Sequence, residues 1–218
     1  MIKIEKTDVY GWEAAIRGMR NPMNSWDKID SGFYWDDENL VFGIGDNDRD
    51  LMMKLAKGGS VHAKYRRMIT VTVDIHAPLY WWKEFDTYKV GTVANSCSTM
   101  HKIHAKEFTM DDFSCEKLIA NEPVPTTVLS PLQFLSGLIG ALNGCRDMFL
   151  ATNDKRWWEQ MIQLLPTSYN QKRTVLLNYE VLVGMYRDRK NHKLDEWHTF
   201  CDWIRELPYS ELITGGDQ

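Results

Sequence analysis

The sequence predicts an α+β fold: an antiparallel sheet flanked by helices, with a helical C-terminal half. Three observations predict it. Met68–Ile75 alternates strictly between apolar and polar residues, other strand-like runs are few, and helical stretches follow one another after Ser130. The 218 residues suit a single domain over 1–218, or one subunit of an oligomer. There are no internal repeats and no low-complexity segments.

Taken in order, Asp8–Asn21 reads as a strand or turn leading to a short helix whose apolar patch is Ala14, Ala15 and Ile16. Asn21–Asp50, rich in Asn, Asp, Gly and Trp, reads as a long irregular excursion, and such loops often serve as lids or edges. Asp48–Lys57 reads as a helix stopped by Gly58-Gly59. Then comes the half-buried strand, with Ile69, Val71, Val73 and Ile75 on one face and Thr70, Thr72 and Asp74 on the other. Ala77-Pro78 is expected to end it. Leu79–Val90 has near-helical apolar spacing at Leu79, Trp82, Phe85 and Val90, and Gly91–Thr99 reads as a small polar loop.

Ser130-Pro131 is an N-cap followed by proline at the first helical position, ahead of Leu135, Leu138, Ile139 and Leu142. Further helices are expected at Lys155–Leu165, Asn170–Arg189 and Leu194–Leu207, the last with a core stripe of Leu194, Trp197, Cys201 and Ile204.

Composition narrows the function classes. Hydrophobic residues at 44% and charged residues at 26% are ordinary for a globular chain. A net charge of −4 argues against a polymeric nucleic-acid partner, whose phosphates need clustered Lys and Arg; a nucleotide monomer needs only one or two cations. Cys97, Cys115, Cys145 and Cys201 form no C-x-x-C pair, and no leader-like segment occupies Met1–Tyr10, so reduced thiols in a cytoplasm are expected. Phe134–Leu142 is interrupted by Ser136, Gly137 and Gly140 and is too short to span a bilayer, so no membrane role is expected.

Several residues invite chemistry, each with a plainer alternative. Asn178 and Arg189, eleven residues apart, would return to one face of a helix about 16 Å apart; the alternative is a capped, exposed helix end. Asn95-Ser96-Cys97-Ser98-Thr99 offers hydroxyls, an amide and backbone N–H groups that can wrap a phosphate or a pyrimidine edge; the alternative is an ordinary Ser/Thr turn. His101 and His104 have the i, i+3 spacing of two metal ligands, but no third ligand and no H-E-x-x-H accompany them, so no metal is expected. Ser98 lacks the G-x-S-x-G setting of an acyl-transfer nucleophile. Gly43-Ile44-Gly45 alone makes neither a G-x-G-x-x-G nor a P-loop. Trp81-Trp82 and Trp157-Trp158 each place indoles on different helix faces, one for the core and one for a ligand or a neighbouring subunit.

In their order these pieces resemble the flavin-dependent thymidylate synthases, the ThyX family, over roughly Leu51–Trp197. The resemblance runs through His62 ahead of Met68–Ile75, then Ala77-Pro78, and Thr87-Tyr88-Lys89 where the family has an Arg-His-Arg triplet. Asn95–His101 follows as the loop, then Leu165-Pro166, Asn178-Tyr179-Glu180-Val181-Leu182 and finally Arg189. It implies reductive one-carbon transfer to C5 of dUMP, with FAD as cofactor, methylenetetrahydrofolate and NADPH as co-substrates, and a homotetramer with sites between subunits. Carried over, Ser98 and Arg189 would be the catalytic pair. Thr70, Thr87, Tyr88, Lys89, Asn95, Asn178 and Glu180 would line the flavin. Glu84, Ser96, Cys97, Ser98, Thr99 and Arg189 would hold the nucleotide.

The sequence departs from the family pattern in its cations. Thr87 and Tyr88 replace the first two triplet residues, Glu180 replaces an arginine, and Met100 replaces the arginine after the loop serine. The loop from Lys89 to Ser98 is one residue longer. Lys64, Arg66, Arg67, Lys83, Lys102 and Arg173 are the cations available to restore the field. Two other readings stand beside the enzyme: a pyrimidine-nucleotide-binding relative that has lost the flavin, and a structural or interaction protein whose aromatic residues serve packing.

Overall fold

The computed structural model describes residues 2–216. Strand β1 (Lys3–Tyr10) turns at Gly11 into α1 (Trp12–Arg20). Gly11 has φ 94°, and a Cβ there would fall 2.0 Å from the Met68 carbonyl oxygen, so the turn tolerates only glycine. There follow a hairpin of β2 (Gly32–Asp36) and β3 (Asn39–Gly43), then α2 (Asp46–Lys57), β4 (Thr70–Pro78), α3 (Leu79–Phe85) and β5 (Val93–Ser96). The remainder is α4 (Pro131–Thr152), α5 (Lys155–Leu164), β6 (Asn170–Asn178), α6 (Tyr179–Arg189), α7 (Asp195–Glu206) and α8 (Glu211–Thr214).

The fold is α+β, as the sequence predicts, with an antiparallel sheet in the order β1-β4-β6-β5. On β4 the predicted face is buried: Val71, Val73 and Ile75, together with Ile69 just before the strand, are at most 1% exposed. Each such side chain contributes about 1.5–3 kcal/mol through burial.

Four local expectations are corrected. Asn170–Arg189 is not one helix: Asn170–Asn178 is a strand and only Tyr179–Arg189 is helical. Gln171, Val175 and Leu177 are buried at period two on that strand, so inclusion in the sheet overrides a helical reading of the same apolar residues. Gly91–Thr99 is not wholly a loop, because Val93–Ser96 forms the edge strand β5. The excursion Asn21–Asp50 is ordered, with Gly32 opposite Gly43 and Tyr34 opposite Val41 in its hairpin. Leu79–Val90 is helical only to Phe85, while β4 ends at Pro78, where the Ala77-Pro78 break is expected.

The chain resolves into two compact units. The first comprises Met1–Lys3, Ile75–Thr87 and Asn95–Arg173; the second comprises Ile4–Asp74, Tyr88–Ala94 and Thr174–Gln218. The first unit has a core of Ile103, Phe108, Phe113, Leu135, Leu142 and Met161. Its longest helix, α4, starts as predicted: Ser130 Oγ accepts from Gln133 N at 3.2 Å, and Gln133 Oε1 accepts from Ser130 N at 2.9 Å. Such a capping box is worth about 1 kcal/mol. Trp81 and Trp82 are both fully buried, ring against ring at 4.9 Å, so neither indole of that pair faces outward.

The second unit packs Ile16 and Met19 of α1 and Met52 of α2 with Leu182 and Met185 of α6 and Trp197, Phe200 and Ile204 of α7 into its core. A buried carboxylate ties its N-terminal part together. Asp48 accepts from Arg20 Nε at 2.7 Å and from the Ser31 hydroxyl at 2.7 Å, besides the amides of Asp30 and Ser31 at 3.1 Å. No helix among the described residues is long and apolar enough to cross a membrane.

Candidate functional site

In the second unit, α6 runs between two residues that the sequence singles out, Asn178 before it and Arg189 at its end. Asn178 is its N-cap, with Oδ1 accepting from Val181 N at 2.9 Å. The other side of that amide meets the backbone of Gly91, where a Cβ would fall 2.7 Å from Asn178 Nδ2. Gly91 also has φ 83°, so the close approach and the turn both require glycine.

Arg189, the last residue of α6, donates from Nε to Tyr88 Oη at 2.9 Å. Its guanidinium lies 4.7 Å from the centre of the Trp197 ring and 5.4 Å from that of Tyr88. Tyr88 is held from behind, its carbonyl accepting from Thr92 Oγ1 at 2.7 Å. Burial pushes the Tyr88 phenol above its ordinary value while the Arg189 guanidinium pulls the other way, so the phenol stays neutral at physiological pH. Two planar rings and a neutral phenol therefore fix a guanidinium in place. This is a rigid cation of the kind that reads a carbonyl edge or an oxyanion.

Glu180 is met by a cation. Arg66 Nη1 lies 3.7 Å from Glu180 Oε2, and both side chains are largely buried. Arg66 Nε and Glu180 Oε2 have no hydrogen-bond partner. A buried ion pair with an orphaned donor and an orphaned acceptor is costly unless another polar group completes it. Burial pushes the neighbouring Tyr65 phenol up to about 12, with Arg66 opposing the rise. Thr70 is half-buried at the start of β4 and Lys89 is exposed in the loop after Tyr88.

In the first unit, Asn95, Ser96, Cys97 and Ser98 are exposed and Thr99 is half-buried. Cys97 N donates to the Lys172 carbonyl at 2.9 Å, and Gln171 Nε2 donates to the Cys97 carbonyl at 2.7 Å, so the segment is anchored on β6. Beyond it, Ser98 Oγ accepts from His101 N at 2.9 Å and from Met100 N at 3.3 Å. Those bonds make the Ser/Thr turn of the plainer reading and leave the hydroxyl hydrogen to donate outward.

Arg173 stands behind this segment. It donates to Gln171 Oε1 at 3.0 Å and to Asp86 Oδ1 at 2.7 Å, and its guanidinium lies 4.2 Å from the centre of the Trp82 ring. Glu84 is half-buried on α3, and Thr87 Oγ1 returns to the Glu84 carbonyl at 2.7 Å. His104 packs edge-on against Phe149 at 4.9 Å. No group of three or more His, Cys, Asp or Glu among the described residues has metal-holding geometry.

Of the sequence-predicted residues, Tyr88 and Arg189 are brought into direct contact across 101 positions of chain. Asn178 meets Gly91, and Glu180 meets Arg66. Asn95–Thr99, Glu84 and Thr87 belong to the first unit; Tyr88, Lys89, Asn178, Glu180 and Arg189 belong to the second. Two contributors escape a sequence reading. Trp197 reads as a core residue, and only its place eight residues after Arg189 hints at more. Gly91 reads as loop punctuation.

No protein-family sequence profile and no curated protein sequence matches the chain. Solved structures do. Thymidylate synthase ThyX from Helicobacter pylori, complexed with FAD and dUMP, aligns with a TM-score of 0.66 at 14% identity, covering 99% of this chain and 100% of that one. The UMP/dUMP methylase PolB from Streptomyces cacaoi, bound with 5-Br dUMP, aligns with a TM-score of 0.63 at 16% identity, covering 99% and 95%. PolB with 5-Br UMP aligns likewise, at 0.62 and 15%, again covering 99% and 95%. From end to end, the chain has the fold of the flavin-dependent thymidylate synthases.

Proposed function

We propose that this protein carries out flavin-dependent, reductive one-carbon transfer to C5 of a deoxyuridine nucleotide. The observation that carries the reading is the Arg189 platform, a guanidinium clamped by Tyr88 and Trp197 at the end of the helix that Asn178 caps. Such a guanidinium can take the uracil edge and stabilise charge developing on its carbonyl oxygens. The hydroxyl and amide groups of Ser96–Thr99 suit the nucleotide phosphate, with Arg173 as the cation behind them. The homologous fold in Helicobacter pylori ThyX, bound with FAD and dUMP, supports both ligands.

FAD fits the residues present through the orphaned Arg66 Nε and the exposed Lys89, donors suited to its diphosphate, beside the amide of Asn178. A bound FAD would supply the redox chemistry, with methylenetetrahydrofolate as carbon donor and NADPH as reductant. The residues of this chain orient and polarise the ligands.

A homotetramer in a reducing cytoplasm completes the reading. It is supported by α4, which leaves Phe134 at 62% and Leu150 at 54% exposure, more apolar surface than a solvated helix normally shows.

Glu180 favours a second reading, a pyrimidine-nucleotide-binding protein without flavin, because it puts an anion where the resemblance places a flavin-holding arginine. An absorption spectrum of the purified protein, FAD titration and thermal melts with dUMP and UMP separate the two. Flavin absorption, and turnover with dUMP, methylenetetrahydrofolate and NADPH, support the first. A colourless protein that ignores FAD yet melts higher with dUMP or UMP supports the second. No response to either ligand ends both.

A further inference from the structure

A cavity of about 810 Å³ in the second unit plays no part in the proposed chemistry. It opens among β1, the β2–β3 hairpin and the end of α7, and its walls include the rings of Trp12, Tyr34, Trp203 and Tyr209 and the carboxylates of Asp8 and Glu206. No Lys, Arg or His lines it.

The rings are fixed. Trp203 spends its one N–H donor on Thr7 Oγ1 at 3.0 Å, and Tyr209 Oη accepts from Ile44 N at 2.9 Å. Trp12 and Tyr209 meet edge to face, 5.3 Å between centres. Tyr209 holds φ 52°, a left-handed backbone that is rare for a bulky residue and persists where its surroundings overdetermine it. Tyr34 lies across Gly43, where a Cβ would fall 2.6 Å from Tyr34 Cε1, so the glycine of β3 sets the tilt of the ring.

The two acids differ from most charges on this chain. Both are exposed, and neither carboxylate has an ion-pair or hydrogen-bond partner among the described residues. Aromatic rings carry negative potential on their faces, and two carboxylates without a protein partner add to the same field. A neutral apolar ligand would leave the acids without use, and an anion would be repelled. We infer that this cavity binds an organic cation, an alkylated ammonium group enclosed by the Trp and Tyr rings and held by Asp8 and Glu206.

Calorimetric titration of the full chain with choline, tetramethylammonium and the uncharged choline isostere 3,3-dimethylbutan-1-ol tests it. Choline should bind about tenfold or more tightly than the isostere, with tetramethylammonium behaving as choline does. The D8N/E206Q variant should weaken choline about fivefold or more without changing the isostere. Tyr34→Ala, on the exposed hairpin, should weaken choline about two- to fivefold. Equal binding of choline and the isostere would reduce the cavity to an apolar groove and overturn the inference. So would the absence of choline binding at tens of millimolar, or variants that leave it unaltered.

Discussion

Arg189 and Ser98 are both assigned to the nucleotide by the resemblance, yet they sit in opposite surroundings. The guanidinium is half-buried, stacked beside Trp197 and bonded to Tyr88, and Tyr88 is itself tied back through Thr92. The serine hydroxyl is exposed in a turn held by its own backbone. One group is held by two aromatic side chains; the other is held only by the backbone of its own turn. The difference follows from chemistry. A cation polarising a ring must not move, and its aromatic clamp supplies rigidity at little entropic cost. A phosphate needs several adjustable donors, and a short hydroxyl-rich turn provides them.

Removing the fixed cation should therefore have the largest effect. Arg189→Ala should weaken dUMP binding by about 1.5–3 kcal/mol, roughly 10- to 150-fold, measured by calorimetric titration. Arg189→Lys should fail to restore it, because an ammonium cannot lie flat beside Trp197. Full rescue by lysine would mean that charge alone matters and that the clamp is incidental.

Next in size is the support of the platform. Gly91→Ala forces a side chain into φ 83° and against Asn178 Nδ2, so stability should fall by roughly 1–2 kcal/mol. In a chain of this size that is a melting temperature lower by about 2–8 °C. An unchanged melt would mean that the loop from Tyr88 to Thr92 is loosely held.

Tyr88→Phe keeps the ring and removes the oxygen that Arg189 binds. Affinity for dUMP should drop by about 1 kcal/mol, near fivefold, with little change in melting temperature. Because the phenol is raised in the folded state, its contribution is fully present below the unfolded value of about 10 and is lost as pH rises through the higher folded value. The fivefold gap between Tyr88 and Phe should accordingly hold from pH 7 to 9.

How much of this was legible in the sequence varies with the number of elements each feature needs. The β4 alternation and the Ser130-Pro131 cap are local patterns, and both appear as read. Strand β6 is hidden because Val175, Tyr179 and Leu182 fit a helical spacing while Val175, Leu177 and Tyr179 fit an alternating one, and only the neighbouring strands decide between them. Strand β5 is four exposed residues at a sheet edge, with no buried face to impose a period. The hairpin turns at Asp37-Glu38, with Asp37 at φ 51°, rather than at the usual Asn-Gly. At the site, the order of Tyr88, Asn178 and Arg189 was readable, but their contacts were not. The ring of Trp197 and the missing Cβ of Gly91 matter only once residues far apart in sequence meet. Which of several cations would stand against Glu180 was open until Arg66 was found beside it.

The smallest effect should come from the adjustable end. Ser98→Ala deletes an oxygen that accepts from two turn amides and a hydrogen free to donate to a ligand. The turn is exposed, so water replaces the hydroxyl as acceptor and the melting temperature should stay within about 1 °C. Affinity for dUMP should fall by only about 0.5–1 kcal/mol, two- to fivefold, because neighbouring hydroxyls and amides would share the phosphate under the proposed function. Ser98→Thr should bind as the unaltered protein does. A loss at Ser98 as large as that at Arg189 would mean that the turn, too, is fixed in advance, and the contrast between a rigid cation and an adaptable phosphate cradle would fail at the end where it is easiest to measure.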